Sequence, residues 1–156
     1  MKPALYLDIA TQLEALFEDE ADGLANAANF SALLFQRLPG LNWVGFYLLR
    51  GDELVLGPFQ GKVGCVRIAL GRGVCGTAAA RKQTVVVPDV HEFPGHIACD
   101  AASQSEIVVP LLKDGELLGV LDLDSPTVSR FDADDAAGLE RAVKLLLERS
   151  DFSRLV

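Results

Sequence analysis

Two turn signals, each between two apolar segments, constrain the fold of this chain more than any other feature of its sequence. Gly51-Asp52 follows residues 43–49 and Asp114-Gly115 follows residues 107–112, and both of these segments are rich in β-branched or aromatic residues. Gly and Asp tolerate the positive φ angles of tight hairpin turns. The returning strands are then expected at residues 54–56 and 117–121. The chain is therefore predicted to contain an antiparallel sheet.

The segment between the two hairpins predicts shorter elements. Residues 57–61 carry glycines at both ends and a proline, so they are expected to break the second strand. Residues 65–69 and 84–87 predict short strands, and the small residues of 74–82 predict a helix that packs closely on the sheet. Residues 88–103 have the composition of a loop with one helical turn at most. Loops of this length in a compact domain are usually functional or disordered.

Helical periodicity is strongest at the two ends of the chain. Helices are expected from Pro3 onward, over residues 23–38 before Pro39-Gly40, and after an Asp132 N-cap. The predicted inward-facing residues are Leu5, Ile9, Leu13 and Leu16 in the first helix, Leu24, Ala28, Leu34 and Leu38 in the second, and Leu139, Val143, Leu146 and Leu147 in the last. This order of elements predicts one α+β domain over residues 1–156, with an antiparallel sheet and helices largely on one face.

Charge and hydropathy exclude several classes of partner. The formal net charge of −8 disfavours binding to nucleic acid or to an anionic membrane surface. Apolar runs are far shorter than a membrane span, and Asp8 interrupts the start of the chain where a signal peptide would need an apolar core. A cytoplasmic location is therefore the expectation.

The three cysteines do not form a disulfide framework, because their number is odd and the expected compartment is reducing. Cys65 and Cys75 are too far apart for the short hooks of zinc sites, although a Cys/His site with His91 or His96 is a weaker alternative. Residues 71–76 lack the glycine spacing of a dinucleotide fingerprint. We therefore expect no metal and no bound organic cofactor.

Cys99 lies in the most polar part of the long loop, between His96 and Glu106. If it began a helical turn, backbone N–H groups would lower the pKa of its thiol and make it a nucleophile. The alternative is a small buried apolar residue. Cys65 and Cys75 lie beside glycines and suit a role as resolving partners that trap an oxidised Cys99 as a disulfide.

Asp122 and Asp124 alternate along a predicted strand, so their side chains point to the same face. Together with Glu106 they would form an acidic cluster that binds an amino group and donates a proton, since crowded carboxylates raise one another's pKa. The alternative is a solvated strand end. Trp43 and Tyr47 also share one strand face, either as core residues or as the wall of an apolar pocket.

Six motifs of the chain together resemble the GAF-domain free methionine-(R)-sulfoxide reductases. The similarity extends from Asn42 to beyond Phe131 and includes all three cysteines. The motifs are NWVGFY (42–47), GPFQG (57–61), GRGVCG (71–76), HIACDAAS (96–103), SEIVVP (105–110) and GVLDLDS (119–125). The resemblance implies a GAF fold, with a central six-stranded antiparallel sheet between helices, and reduction of free rather than protein-bound methionine sulfoxide.

The resemblance also implies a role for each site residue. Cys99 matches the catalytic cysteine, Cys65 the main resolving cysteine and Cys75 a third redox cysteine. The acidic residues around the sulfoxide and the substrate amine are matched by Glu106, Asp122 and Asp124. The remaining substrate-binding residues are expected to be Trp43 near the substrate methyl group, Tyr47, Ile97 and Ala98.

In the implied reaction, the Cys99 thiolate attacks the sulfoxide sulfur while Glu106 or Asp124 donates a proton. The resulting sulfenic acid condenses with Cys65 or Cys75 to a disulfide, which thioredoxin reopens, and the reaction repairs oxidative damage. A homodimer is expected for this architecture. The competing function is a GAF module that senses a small ligand, and it is less favoured because the chain shows no second domain for output.

Overall fold

The computed structural model describes residues 1–155. Within these residues, four helices and six strands follow one another, and a single 3₁₀ turn lies at Val90–Glu92. Their bounds are α1 Lys2–Phe17, α2 Gly23–Arg37, β1 Trp43–Arg50, β2 Glu53–Gly61, β3 Arg67–Ala69, α3 Gly73–Arg81, β4 Val85–Val87, β5 Ser105–Lys113, β6 Glu116–Ser125 and α4 Ala133–Arg149.

The six strands form one antiparallel sheet in the order β3-β2-β1-β6-β5-β4. Both predicted hairpins are confirmed, because β1 pairs with β2 and β5 pairs with β6. Gly51, Asp114 and Gly115 have the positive φ angles that such turns require. The central pair β1–β6 joins the two hairpins, so residues distant in the chain become neighbours on one sheet. The α+β class and the six-stranded antiparallel sheet are confirmed.

The prediction that residues 57–61 break the second strand is wrong. The strand β2 continues to Gly61, and the pairing shifts between Gly45↔Phe59 and Tyr47↔Leu56. Gly57 and Pro58 therefore face a single residue of β1, which is the geometry of a β-bulge. A proline is tolerated at a bulge because the ladder hydrogen bond is already interrupted there. The third strand is also shorter than predicted, since it begins at Arg67 and leaves Cys65 outside the sheet.

The helices are divided unequally between the two faces of the sheet. The helices α1, α2 and α4 enclose the larger core on one face, and α3 packs with a smaller core on the other. The inward faces predicted for α4 and for Ile9 and Leu13 of α1 are confirmed. The predicted orientations of Leu16, Leu24 and Ala28 are wrong, because all three are exposed.

Two polar contacts explain how the helices on the larger core are oriented. In α2, the buried side chain of Asn26 donates to the carbonyl of Glu20 (2.9 Å) and to the hydroxyl of Ser150 (2.8 Å). These bonds turn Asn26 inward and Leu24 outward. At α4, Asp132 forms the predicted N-cap within a capping box with Asp135.

None of the helices within residues 1–155 is both long enough and apolar enough to cross a membrane.

Candidate active site

Strand pairing on the α3 face of the sheet brings the predicted acidic and aromatic residues together. Trp43 of β1 lies opposite Asp124 of β6, and Asp124 lies opposite Glu106 of β5. Asp122 lies two residues along β6 and therefore on the same face. These side chains form the floor of a pocket that α3 and the long loop 88–104 enclose. The prediction that Asp122 and Asp124 share a face is confirmed.

The mouth of this pocket carries a disulfide between Cys65 and Cys99. Their Cα atoms are 5.4 Å apart, within the range that a disulfide spans. The bond joins the segment between β2 and β3 to the long loop, so the structure represents an oxidised form. Cys99 is exposed and lies in a bend. The helical turn considered at Cys99 is therefore wrong, since the helical turn of the loop lies at Val90–Glu92.

A set of hydrogen bonds fixes the loop just after Cys99. The Asn42 side chain donates to Asp100 Oδ2 (3.0 Å) and to Ser103 Oγ (3.1 Å), and Asp100 Oδ1 accepts from the backbone N–H of Ala102 (2.9 Å). These bonds favour the charged form and lower the pKa of Asp100. Asn42 thus ties the loop to the start of β1, and so holds Cys99 at the pocket mouth.

The carboxyl groups of the pocket floor are held away from water. Glu106 and Asp122 are buried, and Asp124 is half-buried. Burial raises the pKa of Glu106 to about 8, and the negative charge of Asp124 adds to this shift. Burial and the neighbouring carboxylates also raise the pKa of Asp122 and of Asp124. The cluster therefore retains protons at neutral pH, and the alternative of a solvated strand end is wrong.

Within residues 1–155, Asp122 Oδ1 is buried and has no hydrogen-bond partner. A buried polar atom without a partner is costly unless a bound group supplies one. Its neighbours are acids, so a cationic donor such as an ammonium group complements it best. A cationic group placed in this part of the pocket would supply the missing partner.

Cys75 lines the same pocket and is a buried free thiol. Its Sγ atom is 3.9 Å from Glu106 Oε2, and burial beside the carboxyl groups of Asp122 and Glu106 raises the pKa of the thiol. Cys75 is therefore a neutral thiol in this form of the protein. Its sulfur and one oxygen each of Glu106 and Asp122 lie within 4.8 Å of one another, close enough to contact one metal ion.

The weaker alternative of a Cys/His metal site is not supported by the positions of the two histidines. In the part of the chain that the structure describes, neither histidine belongs to the group of potential ligands around Cys75. The ring of His91 contacts Asp89 (3.0 Å) outside the pocket. The ring of His96 lines the pocket, with Nε2 3.6 Å from Glu106 Oε1.

Trp43 and Tyr47 form the aromatic wall of the pocket. Trp43 stacks with Tyr47 and also with Phe59, at centroid distances of 5.8 and 5.2 Å. The indole N–H of Trp43 donates to the carbonyl of Lys62 (2.9 Å), which fixes the ring. Burial raises the pKa of Tyr47, so its hydroxyl is neutral. Trp43 and Tyr47 are thus both core residues and pocket walls, and the two interpretations of them are compatible.

The pocket collects all but two of the predicted site residues. Those that line it are Trp43, Tyr47, Cys75, Ile97, Cys99, Glu106, Asp122 and Asp124. Cys65 reaches it through the disulfide, whereas Ala98 is exposed and lies outside the lining. Sequence reasoning assigned no role in the pocket to Arg72, His96, Asp100 or Ser103, which also line it. Their only signal was membership of the motifs at 71–76 and 96–103.

Comparisons with known proteins agree with this geometry. The family model described as the GAF domain matches residues 12–146. The free methionine-R-sulfoxide reductase of Escherichia coli is 55% identical, over 98% of this chain and 94% of its own length. Among solved structures, a protein described as a putative GAF sensor protein from Burkholderia vietnamiensis is 60% identical, with a TM-score of 0.93 over 96% of each chain.

A solved structure with a bound substrate is also similar. The free methionine-R-sulfoxide reductase of Neisseria meningitidis, in complex with its substrate, is 50% identical, with a TM-score of 0.92 over 96% of this chain and 90% of that protein. The identity of both relatives extends over nearly the whole of each chain. The chain therefore belongs to the GAF-domain family of free methionine-R-sulfoxide reductases.

Proposed function

We propose that this protein reduces free L-methionine-(R)-sulfoxide to methionine, with Cys99 as the nucleophile and the Cys65–Cys99 disulfide as the product state of the protein. The observation that carries the proposal is the position of this disulfide at the mouth of a pocket whose floor holds protonated carboxyl groups. Such a pocket combines a reducing thiol with an acid, and the reduction of a sulfoxide needs both.

The first step transfers the oxygen of the sulfoxide to the Cys99 sulfur. The Cys99 thiolate attacks the sulfoxide sulfur, and the developing oxyanion takes a proton from Glu106, whose raised pKa keeps that proton available at neutral pH. Asp124, directly opposite Glu106 in the sheet, is the alternative donor. The products are methionine and a sulfenic acid on Cys99.

The second step forms the disulfide. The thiol of Cys65 condenses with the sulfenic acid and releases water, which gives the bond present in the structure. Cys75 is buried, and its raised pKa disfavours the thiolate that attack requires, so Cys65 resolves first and Cys75 acts later or at low rate. An external dithiol of the thioredoxin type then reopens the disulfide, and the cycle needs no metal because thiols supply both electrons.

Selectivity for the free amino acid follows from charge. In the proposed complex, the substrate ammonium contacts Asp122 and Asp124, where Asp122 Oδ1 lacks a partner within the described chain. Arg72 lines the same pocket and offers a positive charge to the substrate carboxylate. A substrate whose amine is part of an amide would leave the buried acid unpaired, which is heavily penalised. Trp43, which lines the pocket, covers the apolar end of the substrate.

The test is release of methionine by the purified protein with a dithiol reductant. Free L-methionine-(R)-sulfoxide is compared with the (S) epimer and with N-acetyl-methionine-(R)-sulfoxide. Turnover of the free (R) epimer alone supports the reaction and the pocket for a charged amine. If none of the three is reduced by a folded protein with reduced cysteines, the proposal is wrong.

Ligand sensing is the second candidate function, favoured by the description of the Burkholderia vietnamiensis relative as a putative sensor. A sensor would bind the sulfoxide without losing thiols. Counting free thiols before and after addition of sulfoxide therefore separates the two functions. The cytoplasmic location, the homodimer and the role in repair of oxidative damage stay predictions.

A further inference from the structure

His96 is the one histidine of the described chain that contacts the acidic floor of the pocket. Its Nε2 atom lies 3.6 Å from Glu106 Oε1, close enough for a hydrogen bond after a small movement of either side chain. The His96 side chain retains 15% of its exposure, against 8% for that of Glu106. His96 is therefore the member of this pair that is more accessible to solvent.

The proposed reaction requires Glu106 to be reprotonated in every cycle. Each turnover removes a proton from Glu106, and the acid must regain it before the next substrate is reduced. The other titratable groups that face Glu106 are the Cys75 thiol on α3 and the Asp122 and Asp124 carboxyl groups on β6. A proton transferred from any of these groups would leave that group in turn without its proton. Cys75 and Asp122 are also as buried as Glu106 itself. The remaining charged groups of the pocket are Arg72 and Asp100.

We propose that His96 returns the proton to Glu106, by donating from Nε2 to Glu106 Oε1 while Nδ1 takes up a proton from solvent. The inference rests on the proposed function and adds a residue that acts through Glu106 without touching the substrate. Protons balance over the cycle: the Cys99 thiol releases one on ionising, Glu106 gives one to the sulfoxide oxygen, and His96 restores one to Glu106.

The chemistry of imidazole suits this role. Burial lowers the pKa of His96, so the ring is neutral near pH 7 and carries one N–H donor and one nitrogen acceptor. A neutral ring can donate at one nitrogen and accept at the other in the same event. Loss of the Glu106 proton also places a negative charge beside the ring, which favours its protonation by solvent.

His91 offers a matched control on the same loop. Its side chain is 64% exposed and contacts Asp89, away from the pocket. The variants His96→Gln and His91→Gln therefore make the same chemical change five residues apart, and only the first removes a titratable ring from Glu106. His96→Ala leaves space at a partly exposed position, where added imidazole can enter.

The experiment measures methionine release in a single turnover and at steady state, between pH 6 and pH 9. For His96→Gln we expect a first turnover within about 3-fold of the unsubstituted protein at pH 6, where Glu106 begins protonated. Its steady-state kcat should fall about 10- to 100-fold, with the larger loss at high pH. Imidazole should restore kcat to His96→Ala in proportion to its concentration, and His91→Gln should behave as the unsubstituted protein.

Two results would overturn the inference. If His96→Gln matched His91→Gln at steady state across the pH range, proton uptake would pass through the half-buried Asp124 or through water. If the first turnover fell as far as the steady-state rate and imidazole gave no rescue, His96 would only hold the loop in place. Failure of the proposed function looks different, because then the unsubstituted protein would release no methionine.

Discussion

The two faces of the sheet treat a buried aspartate in opposite ways. On the face covered by α1, α2 and α4, Asp135 is fully buried and accepts hydrogen bonds from Tyr6 (2.6 Å), Lys2 (2.7 Å) and the backbone of Asp132 (2.9 Å). On the pocket face, Asp122 is 5% exposed, and among the described residues its Oδ1 has no partner.

The difference between the two aspartates indicates that one face of the sheet stabilises the domain and the other contains the candidate site. Asp135 ties α1 to α4, and its charge is satisfied by groups of the protein itself. Asp122 Oδ1 is left without a partner, which destabilises the folded chain and leaves this oxygen free for the proposed substrate ammonium. The face covered by α1, α2 and α4, called the helix-covered face, therefore stabilises the domain. The pocket face instead contains a buried polar atom that lowers the stability.

The largest effect is expected from Cys99→Ser, which removes the proposed nucleophile. Methionine release should fall by about 1000-fold or more, while the helix-covered face stays intact. Cys65→Ser is the informative comparison, because it should release one methionine per chain in a first turnover and then stop without a disulfide. Single-turnover release, measured with free L-methionine-(R)-sulfoxide, checks both. Retained turnover in Cys99→Ser would contradict the assignment.

The two aspartates give the most direct test of the contrast. Asp135→Asn weakens the pairing with Lys2 and Tyr6, and we expect it to lower the free energy of unfolding by about 3 kcal/mol. Asp122→Asn removes an unpaired acid and should leave stability unchanged or raise it, while methionine release falls. Urea denaturation of the reduced proteins at pH 7 measures both. Equal destabilisation by the two variants would mean that the faces do not differ.

The pH dependence of stability should come from the pocket face. Glu106 has a folded pKa of about 8, above its ordinary value, so the folded chain binds a proton that the unfolded chain releases as the pH rises. This contribution is complete below the ordinary pKa of 4.5 and is lost as the pH rises from there through the folded pKa of about 8. Glu106→Gln cannot ionise, so it should be stabilised relative to the unsubstituted protein, by about 4–5 kcal/mol at pH 9 and by about 1 kcal/mol at pH 5.

Denaturation of the reduced proteins at both pH values measures this difference. Glu92→Gln, at an exposed position of the long loop, serves as the comparison, since it makes the same chemical change outside the buried cluster. A stability difference between Glu106→Gln and the unsubstituted protein that did not change between pH 5 and pH 9 would show that Glu106 is ionised throughout.

The smallest effect belongs to the helix-covered face alone. Asp132 Oδ1 caps α4 by accepting from the backbone N–H groups of Asp134 (3.0 Å) and Asp135 (3.2 Å). Asp132→Ala should cost about 1 kcal/mol of stability and leave methionine release unchanged. Asp134→Ala removes a charge from the same helical turn without removing the cap, so it should cost less. Thermal unfolding of the two variants separates capping from charge.

Local patterns of the sequence predicted the parts of the fold that short-range geometry controls. Alternation placed Asp122 and Asp124 on one face, and the Asp114-Gly115 signal located a hairpin. The prediction of a strand break at residues 57–61 was wrong because a bulge accommodates Pro58 within β2. A bulge depends on the partner strand, which local sequence does not specify.

The site was predictable only in part, for the same physical reason. The side chains on strands were found because strand pairing fixes their positions, whereas the loop conformation depends on bonds such as those from Asn42 to Asp100 and Ser103. The contact between His96 and Glu106 comes from that conformation. The pairing of Cys65 with Cys99 came from the family resemblance, because residue spacing left Cys75 open as well.

The most direct test of the account is the change in the cysteines when reduced protein meets its substrate. One equivalent of free L-methionine-(R)-sulfoxide is added without reductant, and released methionine, free thiols and disulfide-linked peptides are measured together. The account predicts one methionine per chain, loss of two thiols, and a peptide that joins Cys65 to Cys99. Binding of the sulfoxide with all three thiols retained would contradict it and would favour a sensor.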